Sequence, residues 1–132
     1  MKKDYQKCAV CLMWFNGKIM LAQRNGKVFN GYYGGVGGKI NKGETIVQGL
    51  RREVMEETDI QLWGNPTLTD CHVVEKYKHK VFIFEYRFDS EFFFDGVKNL
   101  EPEKHSEWKL YTKKEALKLK LVPFLVQYLK NL

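Results

Sequence analysis

Residues 38–60 read GKINKGETIVQGLRREVMEETDI. Gly34, Gly35, Gly37 and Gly38 cluster at its start, with Lys39 and Lys42 beside them. Glycine lets a backbone turn sharply and approach a ligand closely. Such a loop, flanked by lysines, can present amides and positive charge to phosphate, although a glycine-rich turn is more often only a turn. The spacing that follows predicts a helix over residues 45–58. At about 100° per residue, Val47, Leu50 and Val54 share one face, which belongs against a core. Glu53, Glu56 and Glu57 share another, at i, i+3, i+4 spacing. Three carboxylates there repel one another, and Glu56 and Glu57 lie near the negative end of the helix dipole. A hard divalent cation with oxygen ligands relieves that repulsion. On spacing alone, a solvated acidic face accounts for the pattern equally well. Arg52 precedes the cluster and Glu44 opens the helix. A planar, bidentate guanidinium at Arg52 is placed to orient a carboxylate, the plain alternative being a surface ion pair.

Outward from this helix the chain reads as strands. Residues 7–15 are mostly apolar and predict a buried strand. Asn16-Gly17 is the strongest hairpin signal, and residues 18–23 return from it. Residues 24–38 read as a loop with a short strand near Tyr32 and Tyr33. Gly64, Asn65 and Pro66 force a turn after the helix. Residues 67–75 and 79–88 read as a second antiparallel pair. In the later one Phe82, Phe84, Tyr86 and Phe88 alternate with Val81, Ile83, Glu85 and Arg87, and an aromatic stripe on a strand is ordinarily core. Residues 89–105 read as a polar loop, and residues 107–111 as a last strand. Residues 113–119 and 122–131 read as amphipathic helix, broken near Pro123. No internal repeat or linker divides the chain. One α/β domain over residues 1–132 follows, with a mixed sheet, one helix in the middle and one at the end.

Composition narrows the classes. A chain of 132 residues with 44% hydrophobic and 29% charged residues is long enough to bury a core and unlike a disordered segment. Lys2 and Lys3 are followed by Asp4 with no apolar run, so no signal peptide is expected. The apolar runs are too short to span a bilayer, and a cytoplasmic protein without a membrane partner is the expectation. The net charge of +6 fits a polyanionic partner, either RNA or a nucleoside polyphosphate, or solubility alone. Three cysteines argue against a disulfide framework. Cys8 and Cys11, with Cys71 and His72, form a zinc set on paper. However, residues three apart on a strand point to opposite faces, and buried small side chains are the preferred reading.

The fixed positions of the central stretch are Gly38, Glu44, Arg52-Glu53-Val54, Glu56-Glu57 and Ile60. With their spacing they resemble the Nudix box, G-x5-E-x7-R-E-U-x-E-E-x-G-U, where U is a bulky aliphatic. One fixed position departs: Asp59 stands where the family has glycine, a site that favours a left-handed backbone. Gly49 stands where a small alanine is common. The resemblance implies a Nudix-type α/β/α sandwich with a mixed central sheet and hydrolysis of a nucleoside diphosphate linked to another group. It implies that Glu53, Glu56 and Glu57, with the carbonyl of Gly37, hold Mg²⁺, with Mn²⁺ as a substitute. It also implies that Gly38 and Lys39 meet phosphate, that Arg52 holds the glutamates, and that Glu44 anchors loop to helix. Glu53 is a candidate general base. A glutamate in the later loop, Glu101 or Glu103, is a further candidate base or ligand.

Residues 98–108 (KNLEPEKHSEW) resemble the same region of the MutT-related branch, which converts a nucleoside triphosphate to monophosphate and pyrophosphate. For the base, stacking on Tyr33, Phe29 or Trp108 is a candidate, against ordinary packing. The Phe92–Phe94 run is a candidate base-pocket wall or dimer contact, so either a monomer or a homodimer is compatible. Two alternatives stay open. One is an RNA 5′-end or cap hydrolase, or a hydrolase of another nucleoside-diphosphate compound. The other is a nucleotide-binding sensor without activity.

Overall fold

A computed structural model describes residues 4–132, so Lys2 and Lys3 lie outside the described residues. Strand β1 (Gln6–Phe15) is the centre of the sheet. It pairs in parallel with β6 (His79–Phe88) along its whole length. On its other edge the first half, Cys8 to Cys11, pairs antiparallel with β4 (Val36–Lys39). Its end turns at Asn16-Gly17 into β2 (Lys18–Gln23), with Trp14 opposite Ile19. Both turn residues have positive φ, as the hairpin signal requires. Strand β2 also pairs with β3 (Tyr33–Gly34) and β7 (Lys109–Tyr111). Strand β5 (Thr67–Val74) pairs antiparallel with β6, with a register shift between Leu68 and Asp70. The sheet is therefore mixed.

Alternation along β1 and β6 divides the core. Ala9, Cys11, Met13 and Phe15 face helix α1 (Ile46–Thr58) through Leu50 and Val54. Cys8, Leu12 and Trp14 face helix α3 (Pro123–Lys130) through Phe124, Leu125 and Leu129. Helices thus cover both faces. Phe82, Phe84, Tyr86 and Phe88 fall on the α1 side, and Val81 and Ile83 on the other, as the period of two requires. Cys8 and Cys11 lie on opposite faces, so they cannot share a zinc ion. Burial pushes the Cys8 thiol up to about 11 and Cys11 further.

Several segments differ from the sequence reading. Residues 36–39 form β4 where the sequence reads as loop. Glycines there give no side-chain alternation, yet a Cβ at Gly37 would sit 2.0 Å from the Ala9 carbonyl oxygen, so only glycine fits so close to β1. Residues 113–119 shorten to α2 (Lys113–Ala116). Pro123 starts α3 instead of interrupting a helix, because the first turn needs no amide from it. The polar loop after β6 contains a 3-10 turn over Glu91–Gly96.

Helix α1 is fixed at both ends. Thr45 Oγ1 accepts from the Gln48 amide at 3.1 Å, and Gln48 Oε1 accepts from the Thr45 amide at 2.8 Å. This reciprocal box satisfies two amides that would otherwise lack partners. At the other end Asp59 adopts φ 63°, the left-handed geometry for which the family uses glycine. Its amide donates to the Met55 carbonyl at 2.9 Å, and its carboxylate pairs with Lys98 at 3.1 Å.

Candidate active site

The sequence places Arg52 one residue before Glu53 and two turns after Glu44, and the fold makes it a hub. Its Nε and Nη2 hold both oxygens of Glu44, at 2.7 and 3.0 Å. Nη1 donates to Glu53 at 2.9 Å and to Glu56 at 3.2 Å, and Nη2 also donates to the Lys39 carbonyl at 2.9 Å. One guanidinium thus ties the helix to the glycine-rich segment. Glu44 completes the tie by accepting from the Asn41 amide at 2.7 Å. The Arg52 hydrogen bond is the main reason the Glu44 carboxyl is held below its ordinary range.

Gly49 and Gly38 allow close approach. A Cβ at Gly49 would lie 2.4 Å from Ile40 Cδ1, so the missing methyl lets α1 sit down on its loop. A Cβ at Gly38 would lie 2.5 to 2.7 Å from the three carboxylate atoms of Glu53. Glu53 therefore packs directly against the backbone of Gly38.

The three helix glutamates occupy different environments. Glu56 is half exposed and points to the Arg52 side. Glu53 is largely covered, and burial raises its carboxyl against the opposing pull of Arg52. Glu57 is 5% exposed. Burial first, then Glu53 and Glu101, push its carboxyl up to about 8, opposed by the Gly37 backbone N–H and Arg24. Glu53 and Glu57 line a cleft of about 350 Å³ with Gly37, Gly38, Lys39 and Arg24.

The later loop completes the cleft. Lys98 and Leu100 donate their backbone amides to the carbonyls of Thr58 and Glu57, at 2.9 and 3.1 Å. That docking sets Glu101 beside Glu57. Of the two glutamates named in the sequence, Glu101 joins the helix carboxylates and Glu103 is exposed. Lys104 pairs with Glu101 Oε2 at 3.0 Å, whereas Glu101 Oε1 is buried and has no hydrogen-bond partner among the described residues. His105 also arrives here, with Nε2 3.8 Å from Glu57 Oε2. Donor atoms of Glu57, Glu101 and His105 lie within 4.8 Å of one another. Buried carboxylates with an unpartnered oxygen suit a hard divalent cation, so the donor set fits the metal that the box implies.

A second cavity of about 130 Å³ adjoins the cleft. The two share Arg24, Gly35, Gly37, Gly38 and Lys39 as a common wall. Its far side is apolar, with Phe29, Val10, Val81 and Phe124. Of the three stacking candidates, Phe29 lines this pocket, and Trp108 lines the carboxylate cleft. Tyr33 is not brought to either: its backbone bridges Leu121, and its ring packs edge-on against Tyr111. The phenylalanine run also lies elsewhere. Phe94 packs on Phe15 and Phe93 touches Phe88, while Phe92 and Phe93 both stay exposed. Sequence reasoning missed Arg24, Lys104 and His105 as cleft residues. Only their position near the glycines and within the 98–108 stretch gave any signal.

The NUDIX domain family model matches residues 4–132. No curated protein sequence matches the chain. Among solved structures, a MutT NUDIX hydrolase from Burkholderia pseudomallei superposes with TM-score 0.81 at 20% identity, covering 96% of this chain and 97% of that one. A MutT protein from Methanosarcina mazei Go1 gives 0.77 at 22%, covering 99% and 94%. A bifunctional NMN adenylyltransferase/ADP ribose pyrophosphatase from Francisella tularensis, complexed with AMP and a manganese ion, gives 0.74 at 17%, covering 98% of this chain and 41% of that one. At such identities the superpositions speak to fold, while the family match spans the chain from β1 to α3 and includes the whole Arg52-centred box. The chain belongs to the Nudix family and is a pyrophosphohydrolase, acting on a phosphoric anhydride bond.

Proposed function

We propose that the enzyme hydrolyses a nucleoside triphosphate, ribo or deoxy, to the monophosphate and pyrophosphate, with Mg²⁺ as its ordinary cofactor. The observation that carries this reading is the wall shared by the carboxylate cleft and the apolar pocket. A base in the pocket beside Phe29 puts the attached phosphates at Gly38, Lys39 and the glutamates. The pocket is well below the roughly 300–1,000 Å³ of sites for drug-sized ligands, which favours one planar ring system over a second nucleoside.

Glu53, Glu56 and Glu57 are the proposed metal ligands, with the Gly37 carbonyl and Glu101 added. When bound, the cation supplies charge neutralisation of the polyphosphate, polarisation of the attacked phosphorus and acidification of water. The chain's own groups do the rest. Lys39 and the Gly38 amide hold phosphate oxygens. Arg52 is a positioning residue, fixing Glu53 Oε1 and leaving Oε2 to accept the proton of the attacking water. Water attacks phosphorus at the bridge between the α and β phosphates, the bridging P–O bond breaks, and the two fragments leave as nucleoside monophosphate and pyrophosphate, the water's proton passing to Glu53. The rings at Phe92–Phe94 line neither the carboxylate cleft nor the apolar pocket.

The test is a substrate panel of canonical and oxidised nucleoside triphosphates, ADP-ribose, dinucleoside polyphosphates and capped RNA, with and without Mg²⁺. Wild type is compared with Glu53→Gln, with products resolved by chromatography. Metal-dependent conversion of a triphosphate to monophosphate, lost in the variant, is expected. Turnover confined to capped RNA or ADP-ribose refutes the triphosphate reading. Tight nucleotide binding with no turnover of any compound refutes catalysis altogether.

A further inference from the structure

His105 is 7% exposed, and its backbone is held on both sides. It bridges Arg24 in antiparallel register, and its carbonyl accepts from Asn99 Nδ2 at 3.2 Å. The imidazole packs on Trp108 with centroids 4.5 Å apart. Its Nδ1 lies 3.3 Å from the Ser106 carbonyl oxygen. A carbonyl only accepts, so the proton belongs on Nδ1. Nε2 is then a bare lone pair, buried and without a hydrogen-bond partner among the described residues. It faces Glu57 Oε2 at 3.8 Å, beside the unpartnered Glu101 Oε1.

That arrangement is repulsive unless something positive lies between the groups. A protonated imidazolium would close to a charge-assisted hydrogen bond of about 2.8 Å, and 3.8 Å is not one. A proton on Glu57 serves only the one pair, whereas a cation meets Glu57 Oε2, Glu101 Oε1 and His105 Nε2 together. Two donors each about 2.1 Å from one octahedral ion lie about 3.0 Å apart when cis and about 4.2 Å when trans, so the 3.8 Å pair lies between the two and has to shift by less than 1 Å to ligate one ion. An Nδ1–H bonded to a backbone carbonyl is also the usual support for a histidine that ligates through Nε2.

We propose that His105 Nε2 is a nitrogen ligand of the divalent cation, together with Glu57 and Glu101, and that it biases the site toward Mn²⁺ over Mg²⁺. The inference rests on the reading that the carboxylate cleft holds a divalent cation. Imidazole suits transition metals, whereas Mg²⁺ takes hard oxygen ligands and parts with water reluctantly. The box glutamates alone give an all-oxygen site, and His105 makes it mixed.

The test is binding of Mn²⁺ alone to the full chain, followed by electron paramagnetic resonance, with pulsed measurement of nuclear modulation on the bound ion. Wild type should show coupling to a directly ligated nitrogen, and His105→Gln should not. The variant should bind Mn²⁺ on the order of tenfold more weakly, with Mg²⁺ affinity, read by competition, changed less than twofold. Should the variant fail to fold, imidazole-¹⁵N-labelled histidine in wild type must alter the coupling. His72→Gln and His79→Gln in the labelled protein must leave that change intact. Bound Mn²⁺ without nitrogen coupling in wild type overturns the role of His105 and leaves the carboxylate site standing. No Mn²⁺ binding at all overturns both.

Discussion

Glu57 supplies the most direct test of how the cleft works, because its carboxyl is pushed up to about 8 with no cation present. At pH 7 such a group is protonated in about nine molecules of ten, so binding one Mg²⁺ to its carboxylate should expel about 0.9 proton. At pH 9 the release falls to about 0.1. The apparent affinity should therefore tighten roughly a hundredfold between pH 6 and pH 9. Calorimetric titration in buffers of different ionisation enthalpy reads the proton count directly. The sign for stability follows from the same shift. Between the ordinary carboxylate value near 4.5 and the raised value, the folded chain binds more protons than the unfolded one. The metal-free protein thus loses stability as pH rises through that window, by roughly a few kcal/mol, and Mg²⁺ should raise Tm more at pH 8 than at pH 6. Glu57→Gln should abolish the release and melt higher than wild type at pH 8 without metal. Proton release that is flat between pH 6 and pH 9, or unchanged in Glu57→Gln, refutes the assignment.

Arg52→Lys keeps the charge but loses the fork that grips Glu44 and Glu53; kcat/KM should fall by about ten- to a hundredfold, by steady-state assay. Gly38→Ala needs no unusual backbone, so its added Cβ acts only on the Glu53 carboxylate. Mg²⁺ affinity and turnover should both drop by at least about tenfold while Tm moves by only a few degrees, and normal metal binding would count against the contact. Asp59→Gly removes a left-handed non-glycine residue and an exposed ion pair of small worth; Tm should rise by the equivalent of about 0.5–1 kcal/mol with activity within twofold.

The sequence showed most of what periodicity can show. Helix α1 and its three glutamates were legible because each carries a side chain whose spacing matches 3.6 residues per turn. The same logic separated Cys8 from Cys11 and put the aromatic stripe of β6 on one face. Strand β4 was hidden because its pairing with β1 runs through glycine backbone, which leaves no pattern of side chains. The difference between neighbours was hidden too. Glu56 and Glu57 are equivalent in the box, yet one is half exposed and the other buried, a consequence of which neighbour the 98–105 segment covers. Glu101 and Glu103 could not be told apart, since irregular backbone has no period. His105 lacked any pattern of its own, and its lone pair becomes meaningful only beside Glu57.

One structural relation links these hidden parts. The last turn of a helix leaves carbonyls without partners inside the helix. In α1 they are met in three places: Met55 by the amide of Asp59, Glu57 by Leu100 and Thr58 by Lys98. The segment that reads as a loose polar loop is thus a cap for the helix, and Lys98 also holds the Asp59 carboxylate. Capping at residues 98 and 100 fixes where residue 101 must lie, which is beside Glu57. The same docking buries Glu57 and raises its carboxyl. Acidic side chains at the negative end of a helix are a costly placement. The fold accepts that cost where a cation can offset it. Cutting the cap should therefore lower cation affinity even though no ligand is removed.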